Sequence, residues 1–448
     1  MQLVVADKKV VRAWAMYDWA NSVYPLVINT AIFPLYYKAV TAKGLEGNAA
    51  DNAIVDFFGF KLNNMALYSY AISIAYLIIA FLSPVLSGVA DYSGNKKRFL
   101  RFFCYLGSLS CMLFYTFNDS NLEWGIFLVI LACIGFSGSI PFYNAFLPEI
   151  APKEMHDSVS AKGFSYGYTG SVILLVINLA MVMAPGAFGL ETVGQACKIS
   201  FVLVGLWWAG FAQVTFARLK ETPTGNKLDG SILSKGYQEL GHVWKDLKSN
   251  PILKKYLSAF FVFNMGVQTV MLLATTFALT EVKQYGANGE IEPMGSDKLI
   301  ISILIIQLLA IPGAYFFSWL SGRKGNLNSL LLAIIIWIGV CIGAYYVRFD
   351  FQFFVVAGVV GLIMGGIQSL SRSTYSKLLP ETLDHASYFS FYDVADKMGV
   401  VVGTFAYGFI LQLTGSMRNS VLAIVVFFIL GLILLLRVPK TDALKSVK

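Results

Sequence analysis

Long apolar runs dominate this chain. About twelve stretches of roughly 20 residues, each long enough to cross a bilayer as a helix, alternate with short polar segments. They lie near residues 12–38, 66–90, 100–118, 124–147, 161–185, 198–219, 253–280, 298–320, 329–347, 353–379, 388–413 and 420–437. The expected class is an all-α membrane protein with twelve transmembrane helices. Composition agrees, because 57% of the 448 residues are hydrophobic, only 13% are charged, and the mean hydropathy is +0.65 over the whole length. An ordinary soluble domain is about 25% charged. Disorder, collagen and a nucleic-acid partner are excluded.

The net charge of +8 comes from Lys and Arg placed between the apolar runs, where they orient a membrane protein. With the N-terminus inside, one side collects Lys8, Lys9, Arg12, Lys96, Lys97, Arg98, Arg101, Lys254, Lys255 and Arg437, with Lys440, Lys445 and Lys448 at the end. The count is about 23 basic residues inside against about 8 outside, so the positive-inside rule puts both termini in the cytoplasm. Met1–Val10 has no apolar core of a signal peptide, which leaves the first span as the insertion signal. Short loops and the lack of targeting signals point to a bacterial inner (cytoplasmic) membrane.

A polar stretch from about Lys220 to Pro251 divides the chain near its middle and carries Pro223, Gly225 and Gly230, a linker composition. Beyond it, Ile232, Leu233, Tyr237, Leu240, Val243, Trp244 and Leu247 recur at helical spacing, as expected of a helix lying on the membrane surface. The two sides of this linker echo each other. Tyr143–Glu149 and Tyr375–Glu381 both read YxxxLPE, 232 residues apart, each at the end of the fourth span of its half. Ser87–Asn95 and Ser318–Asn326 match at an offset of 231. We therefore expect a six-helix bundle over 1–219, a linker with an amphipathic helix over 220–252, and a second six-helix bundle over 253–448. Parallel repeats of this kind place a substrate site between halves that rock.

The segment Gly88-Val-Ala-Asp91-Tyr-Ser-Gly94-Asn-Lys96-Lys97-Arg98 resembles the major facilitator signature between spans two and three. Its second-half copy has Gly322 in place of Asp91. The resemblance implies a gate built from Asp91, Gly94, Lys96 and Lys97, with Asp91 facing the N-terminus of the eleventh span near Asp384, where the helix dipole favours an anion. Gly94 permits the tight turn. Trp14–Ser22, Ser160–Phe164, Asn264–Thr269 and Gly365–Ser373 are similar to the vacuole-effluxer family of that superfamily, which comprises autophagy-related fungal amino-acid effluxers and many bacterial relatives. That likeness covers essentially all twelve spans. It implies the major facilitator fold, small-molecule transport, and a cavity lined by the first and fourth spans of each half.

Charges inside the bilayer are costly, about 2.5–3.5 kcal/mol or more each, so those that persist face a cavity or a partner. Asp18, Arg372, Asp393, Asp396 and Lys397 are the outstanding cases, all expected at comparable depth. Asp393 and Lys397 are four apart on one helix, and Arg372 is expected to reach Asp393 or Asp396 from the neighbouring span. Three acids against two bases leave one carboxylate over. A surplus buried carboxylate is what proton coupling demands, and Asp18 is the first candidate. The same five residues could instead form a charge lock between the halves. Asn21, Tyr24, Asn29, Tyr143, Asn144, Asn264, Gln268 and Gln368 add amides and hydroxyls on the same spans, a lining suited to a small polar or zwitterionic ligand. Gly163 and Gly167 in the fifth span, and Gly399 and Gly403 in the eleventh, form GxxxG steps expected where the halves rock. Pro312-Gly313 is the strongest candidate for a bend.

Other chemistries lack their residues. Cys104, Cys111, Cys133, Cys197 and Cys341 form no CxxC pair and read as packing groups, and His156, His242 and His385 fall in expected loops with no ligand cluster. No metal or other cofactor is expected. There is no GxxxxGK[ST] loop for ATP, no nucleophile with its base for a lipid-modifying enzyme, and no loop large enough for a receptor domain. The reading is a monomeric secondary active transporter moving a small polar metabolite, such as an amino acid outward, coupled to protons. Uncoupled facilitation or uptake by the same fold is the alternative.

Overall fold

The computed structural model describes residues 6–42, 44–45, 53–221, 232–286 and 289–439. Lys43, Pro223, Gly225, Gly230, Lys440, Lys445 and Lys448 lie outside them. Eleven described helices are long and apolar enough to cross a membrane. They are the second to twelfth spans: Asn64–Ser93, Lys96–Leu113, Leu122–Ala145, His156–Met183, Val193–Arg218, Pro251–Glu281, Ser296–Lys324, Asn326–Tyr346, Asp350–Leu378, His385–Thr414 and Met417–Leu436. The first span is assembled from three consecutive pieces, Lys8–Asn21, a π-helical segment Tyr24–Ile32, and Phe33–Ala42. Pro25 lacks a backbone donor and its ring crowds the preceding turn, so the helix widens there, and the Thr30 hydroxyl donates to the Pro25 carbonyl at 2.9 Å.

The eighth span, by contrast, stays helical through Pro312. Gly313 serves a different purpose, since a Cβ there would strike the backbone of Leu362 in the tenth span.

Helix contacts repeat across the linker. In the first half, span 1 packs on 5 and 6, span 3 on 4 and 6, and span 2 on 4; in the second half, 7 packs on 11 and 12, 9 on 10 and 12, and 8 on 10. Adding six to each number converts one set into the other. The halves meet through 5 with 8 and 10, and through 11 with 2 and 4, which obey the same rule. Three of the four GxxxG glycines close contacts inside their own half: Gly167 packs against Ser22 and Asp18 of the first span, and Gly399 and Gly403 against the seventh, whereas Gly163 meets both Asp18 and Arg372 of the other half. The core is rich in buried aromatics, with Trp14, Trp208, Trp337, Tyr143 and Tyr375 among its largest members.

The turns 2–3, 4–5, 8–9 and 10–11, the end of span 6 and the start of span 7 gather at one end of the bundle, here called the terminal face because both described chain ends lie there. The helix Ile232–Ser249 crosses this face. Part of its apolar side packs on protein: Val243 and Leu247 are buried, Trp244 stacks on Phe391 of the eleventh span at 5.4 Å, and Gly236 meets Gly88 of the second span backbone to backbone, while Tyr237 stays exposed. Glu239 also faces Asp384 at the start of the eleventh span, and burial, then this second acid, holds its carboxyl above the usual range.

Candidate functional site

Arg372 projects from the tenth span into a pocket made wholly by the first half. Its Nη1 and Nη2 lie 3.2 and 3.3 Å from Asp18 Oδ2, Nη1 also donates to Asn144 Oδ1 at 3.3 Å, Nε donates to Ser160 Oγ at 2.9 Å, and Nη2 donates to the Ser160 carbonyl at 2.9 Å. All five guanidinium N–H groups thus have acceptors. The rings of Phe164, Trp14 and Tyr143 lie 4.2, 4.8 and 5.5 Å from the guanidinium carbon, adding cation–π attraction in a desolvated place. The Tyr143 hydroxyl donates to Asp18 Oδ2 at 2.8 Å, and the Trp14 indole N–H donates to the Tyr143 carbonyl at 3.0 Å, so both partners are fixed by neighbours. The side chains of Arg372 and Asp18 are only 4% and 9% exposed. Gly163 makes the room: a Cβ there would sit 2.5 Å from Asp18 Oδ2.

This geometry corrects two expectations. Arg372 pairs with Asp18 and not with Asp393 or Asp396, and Asp18 is consequently not the surplus acid. The surplus lies in the eleventh span. Lys397 Nζ donates to Asp396 Oδ2 at 2.8 Å and stands 3.4 Å from Asp393 Oδ1, so one ammonium serves two carboxylates. Asp396 Oδ1 accepts from Asn264 and Gln268 of the seventh span, each at 2.8 Å. Asp393 has no such support, and its buried Oδ2 has no hydrogen-bond partner among the described residues. Tyr76 of the second span lies 5.8 Å from Lys397. Asp396 keeps 20% of its side chain exposed, against 9% for Asp18.

Near the terminal face, further polar contacts join the halves. Asp91 accepts from the backbone N–H groups of Ser387 at 2.7 Å and Ala386 at 3.2 Å, the first turn of the eleventh span. Lys96 stands 3.7 Å from Asp91, pairs with Glu149, and donates to the Leu383 carbonyl at 3.3 Å, while His385 Nδ1 lies 3.1 Å from Glu149. Gly94 adopts φ +66°, ending the second span in the left-handed turn its lack of a Cβ permits. Lys97 points elsewhere and donates to the Leu219 carbonyl at the end of the sixth span, within its own half. The repeat of this arrangement is inverted. Where Gly322 replaces the loop carboxylate, Asp157 on the first turn of the fifth span supplies it from the other side, accepting from Ser321, Asn326 and Lys377, each at 2.7 Å.

With cross-half polar contacts related by an internal repeat and charges buried within twelve helices, the decisive observation is the match to known sequences. Residues 6–448 match the family described as "Vacuole effluxer Atg22 like". The chain belongs to that family. An uncharacterized MFS-type transporter of Bacillus subtilis, YxiO, is 32% identical over 96% of this chain and 94% of its own length. Autophagy-related protein 22-1 of Aspergillus clavatus is 24% identical over 88% of this chain and 76% of its own. Among solved structures, the proton:xylose symporter XylE superposes with a TM-score of 0.71 at 12% identity, covering 98% of this chain and 97% of that one. The E. coli fucose:proton symporter FucP gives 0.68 at 13%, covering 97% and 98%. The fold is that of the major facilitator superfamily, whose members here are transporters and not enzymes.

Several residues of this vacuole-effluxer protein could not be singled out from sequence. Trp14 and Ser160 sit in quoted family segments, yet nothing in their type marks them as arginine partners. Nothing in the sequence singles out Asp157, Glu149 and Lys377 as cross-half partners; of the histidines expected in loops, His156 and His385 begin helices and His242 lies on the linker helix. The second-half gap at Gly322 was the available signal for Asp157: a missing carboxylate in one repeat asks for one nearby. Gln368 accepts from the Tyr168 hydroxyl of the fifth span at 2.6 Å, another cross-half contact. Asn21 is buried, and its amide nitrogen has no partner among the described residues. No group of His, Cys, Asp and Glu among the described residues is placed to hold a metal.

Proposed function

We propose that this protein is a proton-coupled secondary carrier that moves a small polar or zwitterionic metabolite, and that amino-acid efflux is its direction and class. The observation that carries this reading is one lysine shared by two carboxylates beside two amides. Lys397, Asn264 and Gln268 suit a carboxylate, and the under-partnered Asp393 suits either an ammonium or a proton, so substrate and proton compete for one acid. That competition couples their movements. The names of the solved neighbours XylE and FucP as proton symporters, and of the fungal relatives as autophagy-related, support the choice.

Transport proceeds by rocking of two bundles, 1–219 and 253–448, about the linker 220–252. The terminal face is the cytoplasmic side of a bacterial inner membrane, given its Lys and Arg excess. Arg372 with Asp18, and Asp91 with the eleventh span, then lock that side shut and must part for inward opening. The protein works as a monomer.

The test begins with a thermal-shift screen of amino acids and small peptides, since a ligand that binds the folded state stabilises it by mass action. Hits are then followed in liposomes with and without a pH gradient. Flux that follows the gradient, and loses that dependence in Asp393→Asn, is the expected result. Gradient-independent flux in both proteins would establish an uncoupled facilitator and overturn proton coupling.

A further inference from the structure

Where the linker helix meets the seventh span, a cleft of about 370 Å³ is lined by Lys248, Pro251, Lys254, Lys255, Ser258, Leu434 and Arg437. Four of these seven residues are cationic and none is acidic. Among the described residues neither Lys254 nor Lys255 has an ion pair, and both lie at the N-terminal end of a 31-residue helix with no acid in its first turn. There they add positive charge to the positive end of the helix dipole, the opposite of what stabilises a helix. Arg437 and Lys248 end their own helices, where cations are favoured, so the dipole supports two of the four and opposes the other pair. An anion in the cleft offsets all of them.

We propose that this cleft binds the phosphate headgroup of an anionic phospholipid. Two features select a lipid over a free anion. Leu434 lines the cleft, and the twelfth span continues from it as an exposed apolar stripe through Ile433, Leu430 and Val426, along which acyl chains can lie. The first free amides of the seventh span are already taken, because the Asn250 side chain accepts from Ile252 and Leu253, so recognition falls to long, flexible cations suited to a headgroup at the interface. Basic pockets between helix ends at an anionic leaflet bind such headgroups. The site also has leverage. Only Asn250 separates the linker helix from the seventh span, and Lys248 lies over Trp244 at 4.9 Å, which in turn stacks on Phe391. A bound headgroup therefore ties the linker helix to the seventh and twelfth spans. The proposal holds whichever way transport runs.

Native mass spectrometry of the delipidated full-length protein, titrated with phosphatidylglycerol or phosphatidylcholine, tests this. The wild type should retain phosphatidylglycerol preferentially, and Lys254→Gln/Lys255→Gln/Arg437→Gln should weaken that preference by about fivefold per cation removed. Lys8→Gln/Lys9→Gln/Arg12→Gln, which removes as much charge from the same face outside the cleft, should leave it unchanged. Inorganic phosphate should compete weakly. Equal retention of both lipids by the wild type, equal losses in the two triple variants, or full displacement by phosphate would each overturn the proposal.

Discussion

The Arg372 and Lys397 sets pose the same electrostatic problem and answer it in opposite ways. Around Arg372, one base meets one acid, every guanidinium N–H has an acceptor, three aromatic rings close the pocket, and the partners come from different halves. Around Lys397, two acids share one base, a carboxylate oxygen is left without a partner, and the charged groups stand on one helix. On the proposed function, the balanced and sealed set holds the halves together and the overloaded one takes up the proton and solute. Charge inside a membrane thus divides into groups that hold helices together and groups that wait for something to bind, and the count of unfilled hydrogen-bond positions tells them apart.

The widest separation between the sets comes from removing one charge at a time. Arg372→Gln leaves Asp18 buried without its counter-ion, and breaking a buried pair from one side costs about 3–5 kcal/mol. We expect a marked fall in the unfolding midpoint in detergent. The double variant Asp18→Asn/Arg372→Gln should recover most of it, because two neutral partners no longer strand a charge. Absence of recovery would mean that the guanidinium acts through packing alone. Asp157→Asn should rank next, at about 3 kcal/mol, since it strands Lys377, whose side chain is 4% exposed. Asp91→Asn should cost less, about 1.5–3 kcal/mol, the range for hydrogen bonds to charged groups, because an amide oxygen still accepts from Ser387. If Asp91→Asn proved the more damaging, the two cross-half contacts would not divide the load as their hydrogen bonds indicate.

Much of this was legible from residue order. Hydropathy marks twelve apolar runs, eleven of which are continuous spanning helices among the described residues, and the YxxxLPE copies announce the repeat that the helix contacts obey. The five intramembrane charges were visible as costs that need partners. Which partner each takes was not, because spacing along one helix fixes only neighbours three or four residues away. Lys397 with Asp393 was within that reach, while Arg372 with Asp18 depends on how the tenth span sits against the first and fifth. Pro25 and Pro312 show the same limit: both lie in apolar runs, and only the neighbouring backbone decides that one widens its helix and the other is absorbed. The linker helix was read as amphipathic, but its period cannot say whether lipid or protein covers the apolar side.

A smaller effect separates the glycines that serve each set. Gly163→Ala would bring a Cβ to 2.5 Å from Asp18 Oδ2 and 2.8 Å from Arg372 Nη2, atoms pinned by their own hydrogen bonds. Overpacking of this kind costs about 1–3 kcal/mol. Gly399→Ala in the eleventh span would meet its nearest neighbours, Asn264 Nδ2 and Met265 N, at 3.4 and 3.6 Å, an ordinary contact. It should change the unfolding midpoint little, and the helix propensity of Ala adds a small gain. The two alanine variants, measured side by side, report how rigidly each charge set is held.

The smallest expected change in stability is also the most discriminating. Asp393→Asn removes the acid that Lys397 reaches at 3.4 Å, yet leaves Asp396 at 2.8 Å to balance that lysine one to one. Removing a surplus buried carboxylate relieves its desolvation and strands no counter-ion, so the unfolding midpoint should stay within about 1 kcal/mol of the wild type or rise. Asp18→Asn, the same chemical change in the balanced set, strands Arg372 and should fall by about 3 kcal/mol or more. Opposite responses to one substitution type would mark Asp393 as the acid kept for binding and not for structure. A large loss of stability in Asp393→Asn would instead make both sets structural, and the proposed proton site would have to be sought elsewhere.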